Sequence, residues 1–450
     1  MLSQAVAHYH DLLANESILE DSRAMLDQSL ETGRLIFGGR RLSPYLRPHF
    51  VTEDDFARVT RICEIVWGAI QKVKDAAVAD SSLIDELGLT ETEKELVAID
   101  PGYAPVSPTA RLDSFLTNEA FSFVELNGES PAGIAFADAA SEIFAALPVM
   151  QHFSRSYQLR ALAGRGLLLE VLLKAYEEFL GRKSERPPHI AIVDLKDLPT
   201  QEEFILFKNY FESQGYPATV CSPQELEFDG QILRCRDFEV DIVYKRILVN
   251  EYLPIMSEHP ALVDAYRAHK VCLVNSFRSK LIHKKALFAV LTSERHSRLF
   301  SADEKQIIAQ HVPWTRHVRP GSTIFNNRTV DLLEFISQHR DQLVLKPNDD
   351  YGGHGIHIGW DASASHWDEA VQNALTNGDY LVQERVPTAR EVFPALQADG
   401  SVLFTEQLVD LDPLLFFGKV GSAFTRLSYT ELANVSSGGG MVPTFLISKK

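Results

Sequence analysis

The stretch Arg111–Gly128, RLDSFLTNEAFSFVELNG, decides how the fold of this chain is interpreted. Two apolar runs, RLDSFL and FSFVELNG, flank the polar TNEA, and this pattern predicts two short strands joined by a turn. Glu125 and Asn127 are two residues apart, so both side chains point to one face of their strand. In an antiparallel pair Asp113 can face the same side, and Arg111, two residues before it, lies on that face as well.

These side chains offer the chemistry of a metal and phosphate site. Asp113, Glu125 and Asn127 supply hard oxygen ligands that suit one or two Mg²⁺ ions in contact with phosphates. Arg111 can stabilise charge that develops on a transferred phosphoryl group. Ser130 follows closely and is a further candidate for nucleotide binding. A carboxylate in so apolar a stretch needs a partner if it is buried, and a surface hairpin with ordinary charges is the alternative.

A second stretch, Leu343–Gly359 or LVLKPNDDYGGHGIHIG, places Lys346 directly before a glycine-rich turn. A lysine ammonium and glycine backbone N–H groups can hold a polyphosphate together, because glycine has no Cβ to keep phosphate oxygens away. Neither of the spacings GxxxxGK[ST] and GxGxxG occurs here. A solvated lysine at a sheet edge is the alternative.

A third stretch, Tyr380–Val386 or YLVQERV, ends a predicted strand in Gln383 and Glu384. Backbone groups and a carboxylate at this position can bind the amino and N1 edges of adenine. A Gln-Glu dipeptide is common on strands, so it indicates a nucleotide site only because it follows the stretch that contains Lys346. The second and third stretches together predict a nucleotide site.

The order of these motifs resembles that of the circularly permuted ATP-grasp ligases, and the spacing is similar to that of the synthetase domain of glutathionylspermidine synthetase. In that family Arg-x-Asp is followed, after a short hairpin, by Glu-x-Asn, and both precede the nucleotide-binding segments. The pairs Arg111-Leu-Asp113 and Glu125-Leu-Asn127 have this order here. The resemblance covers residues 111–440. It implies a mixed α/β fold, namely a circularly permuted ATP-grasp fold with a small Rossmann-like subdomain and a helical N-terminal region.

The resemblance also implies roles for individual residues. Lys285, in LVNSFRSKLIHKKALFAVL, would be the first nucleotide lysine and Lys346 the second. Arg426, in FTRLSYTELANVSSGGG, would contact phosphate, with Asn434 and Ser436 as weaker candidates. The flap over the phosphates and the adenine hinge would be formed by Gly352, Gly353, Gly355, Gln383 and Glu384.

The implied activity is that of an ATP- and Mg²⁺-dependent carboxylate–amine ligase. A carboxylate of a small molecule or peptide would attack the γ-phosphate to give an acyl phosphate, and an amine, or alternatively a thiol, would displace phosphate. Arg111, Lys346 and Arg426 would act in catalysis. The alternatives are a small-molecule kinase with the same ATP site and a non-catalytic nucleotide-binding or scaffold protein. The identities of the acid and amine, and the oligomeric state, stay open.

Composition sets broad limits on these interpretations. A chain of 450 residues predicts two or three packed units. The formal charge of −17 disfavours nucleic acid as a partner. The 4 cysteines include no CxxC pair, which disfavours a zinc site and fits a reducing compartment. We see neither a secretory signal nor an apolar run of roughly 20 residues, so we expect a cytoplasmic protein without a membrane partner.

The chain divides into four predicted segments. They are a helical N-terminal region at 1–110, a permuted metal-binding part at 111–185, an α/β subdomain at 186–275 and a nucleotide-binding part at 276–450. Apolar periodicity predicts helices over Asp54–Ala79 and Leu159–Lys183. A strand–helix–strand pattern over Ile190–Cys221 predicts the doubly wound subdomain. Lys245 and Arg246, at the end of a later strand, either contact a carboxylate substrate or are solvated.

Overall fold

The structure, a computed structural model, describes residues 1–397, 399–433, 435 and 438–450. Residues 1–110 form the predicted helices and, in addition, short strands that the periodicity does not show. The elements are α1 (Leu2–Leu13), α2 (Glu16–Thr32), β1 (Ile36–Phe37), β2 (Arg40–Arg41), β3 (His49–Thr52), α3 (Glu53–Ala79), α4 (Ser81–Leu87) and α5 (Glu91–Ala98). The predicted long helix is α3, which begins after Thr52 because the Thr52 hydroxyl accepts a hydrogen bond from the Asp55 N–H.

The next segment contains the predicted hairpin. Its elements are β4 (Thr109–Leu116), β5 (Phe121–Asn127), α6 (Ile134–Ala146), α7 (Pro148–Phe153), β6 (Tyr157–Ala161) and α8 (Arg165–Leu180). In the antiparallel register of β4 and β5, Asp113 lies opposite Glu125 and Arg111 lies opposite Asn127. The helix predicted over Leu159–Lys183 is wrong in its first part, since those residues belong to β6 and the helix starts only after Gly164.

Residues 186–275 form the strand–helix–strand unit and two sheets. The elements are β7 (Ile190–Val193), α9 (Gln201–Ser213), β8 (Ala218–Cys221), β9 (Leu226–Phe228), β10 (Leu233–Cys235), β11 (Phe238–Val240), β12 (Ile242–Lys245), α10 (Val249–Tyr252), α11 (Ala261–Arg267) and β13 (Cys272–Val274). A parallel sheet has the order β13-β12-β7-β8, and an antiparallel sheet has the order β11-β10-β9. Ligands of such parallel sheets bind beyond the carboxyl ends of the strands.

The remaining chain alternates helices and strands. The elements are α12 (Lys280–His283), α13 (Ala286–Leu291), α14 (Ala302–His311), β14 (Thr315–His317), β15 (Ser322–Phe325), β16 (Arg328–Asp331), α15 (Leu332–Gln338), β17 (Leu343–Pro347), β18 (His357–Ile358), α16 (Ala364–Asn377), β19 (Tyr380–Glu384), β20 (Ala389–Leu396), β21 (Val402–Phe416), β22 (Lys419–Ser428), β23 (Gly440–Val442) and β24 (Thr444–Lys449). Every helix in the described part of the chain is too short or too polar to span a lipid bilayer.

Sheets bring distant parts of the sequence together. One sheet has the order β23-β22-β21-β4-β5, so the hairpin near residue 120 pairs with a strand near residue 410. A second sheet, β14-β19-β17-β18, carries Lys346 and Gln383. A third sheet has the order β3-β24-β6. The periodicity misses β3 and β6 because each of them pairs with β24, which is far away in sequence.

A buried network of charges joins the segments around these sheets. The Lys280 ammonium lies 2.9 Å from the Glu129 carboxylate and 2.6 Å from that of Asp349. Lys245 approaches Glu129 to 3.5 Å, and Glu93 lies 3.6 Å from Lys280. Burial raises the pKa of Glu129, but Lys280 and Lys245 outweigh burial and hold this pKa below its ordinary value. The network therefore fixes α5, β12, α12 and the loop after β17 relative to the hairpin.

We expect Glu129→Ala to lower the free energy of unfolding by about 3–5 kcal/mol, because it leaves buried lysines without their partner. Urea unfolding at neutral pH measures this change. The control is Glu177→Ala, which removes an exposed carboxylate from α8 and should stay within about 0.5 kcal/mol of wild type. Equal stability of the two variants would contradict the role of Glu129 in joining these segments.

Candidate active site

The carboxylate of Asp113 is the centre of a buried hydrogen-bond network. Arg111 donates to both oxygens, at 2.8 Å from Nε to Oδ1 and at 3.1 Å from Nη2 to Oδ2. Asn127 donates through Nδ2 to Oδ1 at 2.9 Å, and Arg426 donates through Nη2 to Oδ2 at 2.6 Å. A carboxylate offers about four acceptor positions, so these bonds use them all. Asp113 therefore holds side chains from β4, β5 and β22 in place.

Two aspartates that the sequence interpretation missed complete this network. Asp410 lies opposite Arg426 in the register of β21 and β22 and accepts a hydrogen bond from its guanidinium. The Asp412 Oδ2 lies 3.0 Å from the Arg426 Nε and 3.7 Å from the Arg111 Nε. Their sequence signal is the spacing of two aspartates in the apolar run LVDLDPLLF. That spacing puts both carboxylates on one face of a buried strand.

The three carboxylates of the network differ in how strongly they hold a proton. Burial raises the pKa of Asp412 well above its ordinary value and also raises the pKa of Asp410. Burial acts on Asp113 as well, but Arg111 and Arg426 outweigh it and bring the pKa of Asp113 to about 2. Asp113 is therefore the most acidic member of the network, and Asp412 takes up a proton more readily than Asp113 does.

The two aspartates should respond differently to replacement by asparagine. Asp412→Asn keeps the shape of the side chain and removes a charge that burial disfavours, so we expect a change within about 1 kcal/mol in the free energy of unfolding. Asp113→Asn leaves two buried guanidinium groups with too little negative charge and should cost about 3–5 kcal/mol. Urea unfolding at neutral pH compares the variants directly, and the reverse order would contradict the assignment of charges.

Two buried lysines flank Glu125. The Lys285 Nζ lies 3.4 Å from the Glu125 Oε1 and donates to the backbone oxygen of Asp350 at 2.5 Å. The Lys346 Nζ donates to the backbone oxygen of Val124 at 3.1 Å. Lys285 immediately precedes α13, whereas Lys346 lies in β17. Two elements that are distant in sequence thus bring ammonium groups to the same part of β5.

A chain of hydrogen bonds orients the Lys346 ammonium. Its Nζ donates to the Gln383 Oε1 at 2.7 Å, and the Gln383 Nε2 donates to the Thr315 Oγ1 at 3.1 Å. The Thr315 hydroxyl gives its own hydrogen to the backbone oxygen of Pro313 at 2.9 Å, so it can only accept from Gln383. Burial lowers the pKa of Lys346 to about 8, although the Glu125 charge opposes this.

The glycine-rich turn between β17 and β18 is anchored at its start and has a second contact at its tip. Near its start, the Asp349 carboxylate lies 2.8 Å from the Lys284 ammonium. At the tip, the hydroxyl of Tyr351 donates to the Glu251 Oε1 at 2.9 Å. Positive φ angles of +68°, +81° and +67°, which favour glycine, occur at Gly352, Gly353 and Gly355.

Two cavities meet at the Asp113 network. One of about 550 Å³ lies between the carboxyl edge of the parallel sheet, the β1–β2 hairpin and the glycine-rich turn. The other, of about 110 Å³, lies between the sheet β14-β19-β17-β18 and the strands β21 and β22. Residues that line both cavities are Asp113, Glu125, Ile356 and Arg426.

The predicted site residues are distributed over these cavities. The larger cavity is also lined by Arg111, Asn127, Ser130, Gly352 and Gly353. The smaller one is also lined by Lys346, Gln383 and Glu384. Lys285 reaches the junction through Glu125, and Gly355 packs so tightly that a Cβ there would lie 2.8 Å from the Tyr380 hydroxyl. Asn434 and Ser436 lie outside the described residues.

The sequence matches no family model and no curated protein. The structure is similar to that of a glutathione synthetase-like effector, GSS30, from Globodera pallida in its apo form. The identity is 14%, the alignment covers 96% of this chain and 97% of that chain, and the TM-score is 0.61. A candidate gamma-glutamylcysteine synthetase from Methylobacillus flagellatus has 8% identity, 86% coverage of each chain and a TM-score of 0.41.

The similarity to the effector extends over nearly the whole of both chains. This chain has an ATP-grasp-type fold. The mixed α/β, ATP-grasp-type architecture expected from the order of the motifs is therefore confirmed, whereas the permuted order of its parts stays a prediction. At 14% identity the similarity establishes the ATP-grasp-type fold and not an activity.

Proposed function

We propose that this protein is an ATP-dependent ligase that joins a carboxylate to an amine through an acyl phosphate and requires Mg²⁺. The observation that carries the proposal is the junction of the two cavities. There Glu125, the paired Lys285 and the guanidinium of Arg426 lie together. A small cavity for a nucleotide opens at this point into a larger one for substrates.

We assign ATP to the smaller cavity and to its junction with the larger one. The adenine would lie next to Gln383 and Glu384, which line that cavity together with apolar side chains of β17 and β18. The phosphates would extend toward the junction, where the ammonium groups of Lys285 and Lys346 offset their charge. The backbone N–H groups of the glycine-rich turn can approach the phosphate oxygens closely.

The residues present also fit a magnesium ion. Glu125 lines both cavities, and the Asn127 Nδ2 is bound to Asp113, which leaves the Oδ1 oxygen as a ligand. The acceptor positions of Asp113 are occupied by Arg111, Asn127 and Arg426. We therefore assign Mg²⁺ to Glu125 and Asn127, and we assign Asp113 to hold the arginines instead of the metal. When bound, Mg²⁺ would neutralise charge on the phosphates.

The chemistry that remains for the protein is positioning and charge stabilisation. The acid substrate would bind in the larger cavity with its carboxylate beside Arg111 and Arg426, which can stabilise the oxyanions formed during transfer. The glycine-rich turn would exclude water that hydrolyses an acyl phosphate. The permuted order of the motifs is part of this proposal, and the pairing of β4 with β21 supports it.

Glu125→Gln tests the metal assignment. We expect saturating Mg-ATP, at about 100 times its dissociation constant, to stabilise wild type by roughly 2.7 kcal/mol and to stabilise Glu125→Gln far less. Thermal unfolding with and without Mg²⁺ measures this, and release of ADP with panels of acids and amines measures turnover.

The matched control for this experiment is Glu119→Gln, an exposed carboxylate on the turn of the same hairpin. It should bind Mg-ATP as wild type does. Full stabilisation of Glu125→Gln would remove Glu125 from the metal site. A phosphorylated acid that accumulates as a stable product without amide formation would instead identify a kinase.

The reduced pKa of Lys346 predicts a pH dependence of nucleotide binding. Above a pKa of about 8 the unliganded lysine loses its proton, so the dissociation constant for Mg-ATP should begin to rise there. The rise should approach about tenfold per pH unit. Lys346→Met should bind more weakly at neutral pH and lack this rise, whereas Lys305→Met, at an exposed position of α14, should retain it. Titration calorimetry across this range measures both, and the same rise in all proteins would exclude Lys346.

A further inference from the structure

A buried carboxylate on the wall of the larger cavity lacks a directly bonded cation. Asp194 directly follows β7, at the carboxyl edge of the parallel sheet, and is only 7% exposed. Its Oδ1 accepts a hydrogen bond from the N–H of Leu195 at 2.8 Å. Among the residues that the structure describes, no lysine, arginine or histidine forms a salt bridge with Asp194. A buried carboxylate in this situation needs a compensating partner.

The two cations that attract the Asp194 charge, Arg246 and Lys245, have their hydrogen bonds with other acceptors. Arg246 lies 3.5 Å from the Glu203 carboxylate and donates to backbone oxygen elsewhere. The Lys245 ammonium lies 3.5 Å from the Glu129 carboxylate and belongs to the buried charge network described above. Neither side chain forms a salt bridge with Asp194, although Arg246 is close enough to attract its charge. The Asp194 carboxyl therefore faces the cavity without a directly bonded cation.

A second carboxylate strengthens this charge. Glu251 lines the same cavity, and its two oxygens accept neutral hydrogen bonds from the Tyr351 hydroxyl at 2.9 Å and from the Leu248 N–H at 3.1 Å. Burial raises the pKa of Asp194 to about 7, Arg246 opposes this, and the nearby Glu251 adds to the rise. The two carboxylates are thus close enough to repel each other, and a cation between them would relieve the repulsion.

The arginines of the cavity wall do not fill this role. Arg111 and Arg426 are held by the Asp113 network. Arg40, on the β1–β2 hairpin, donates to backbone oxygens of Gly438 and Gly439. These three arginines are therefore held by partners of their own, and Arg246 is the arginine of this wall that attracts the Asp194 charge.

We propose that Asp194 and Glu251 bind the amine co-substrate in its ammonium form and that Asp194 takes up the proton that the nitrogen must lose. The free aliphatic amine, and not a thiol, then displaces phosphate from the acyl phosphate. This inference rests on the ligase activity proposed above. An ammonium group supplies several charge-assisted hydrogen bonds to carboxylates, whereas a thiol is a weak, uncharged donor. The site lies where ligands of parallel α/β sheets bind. Tyr351 links it to the glycine-rich turn.

The probes for the test are n-propylammonium chloride and its neutral counterparts 1-propanethiol and 1-propanol, at constant ionic strength and neutral pH. Titration calorimetry should show that wild type binds the ammonium and neither neutral probe. Asp194→Asn should weaken ammonium binding by about tenfold or more, which corresponds to about 1.4 kcal/mol. Glu251→Gln, which can still accept from Tyr351, should weaken it in the same direction. If Asp194→Asn does not fold, Glu251→Gln decides.

The control is Glu227→Gln, which removes an exposed carboxylate from β9 of the same subdomain and should bind the ammonium as wild type does. Absence of ammonium binding in wild type, equal binding of the neutral probes, or unchanged binding in Glu251→Gln would each overturn the inference. The same samples are titrated with Mg-ATP. Loss of the nucleotide response alone contradicts the ligase proposal, whereas loss of the ammonium response alone contradicts only the amine site.

Discussion

The Asp113 carboxylate, buried between the guanidinium groups of Arg111 and Arg426, fixes the strands that carry the candidate site. The two arginines come from β4 and β22, which are far apart in sequence, and each would be costly to bury without this partner. Because Asp113 also binds Asn127, the register of β4 and β5 is set at the same point. That register places Glu125 where the two cavities meet, so the position of the proposed metal ligand follows from the arrangement of the arginines.

Several buried charged groups of this site lack a full complement of opposite charge within the protein, and this bears on which ligands the site can bind. The arginines are matched by carboxylates, and burial raises the pKa of two of these, Asp410 and Asp412, whereas Lys346 is buried with a pKa of about 8. On the wall of the larger cavity, the buried carboxyl of Asp194 lacks a directly bonded cation. Such a site is stable enough to fold but gains from ligands that carry the missing charges. A nucleotide near the lysines and an ammonium near Asp194 would supply charges of the appropriate sign.

Local patterns allowed the sequence to predict part of this arrangement. The hairpin at Arg111–Gly128 and the lysine before the glycine-rich turn depend on neighbours within a few residues, and both are observed. Strands β3 and β6 were missed because they pair with β24, far away in sequence. Asp410 and Asp412 were missed for a similar reason, since their meaning depends on Arg426. The contacts of Asp113 with two arginines likewise could not be read from one strand alone.

The most direct test of the proposed nucleotide site is a crystal structure of the protein with AMP-PNP and Mn²⁺, whose anomalous signal locates the metal. We expect the adenine in the smaller cavity beside Gln383 and Glu384, and the phosphates beside Lys285 and Lys346. The metal should lie within coordination distance of Glu125 and Asn127. A nucleotide bound outside the two cavities, or a metal held by Asp410 and Asp412, would contradict the account.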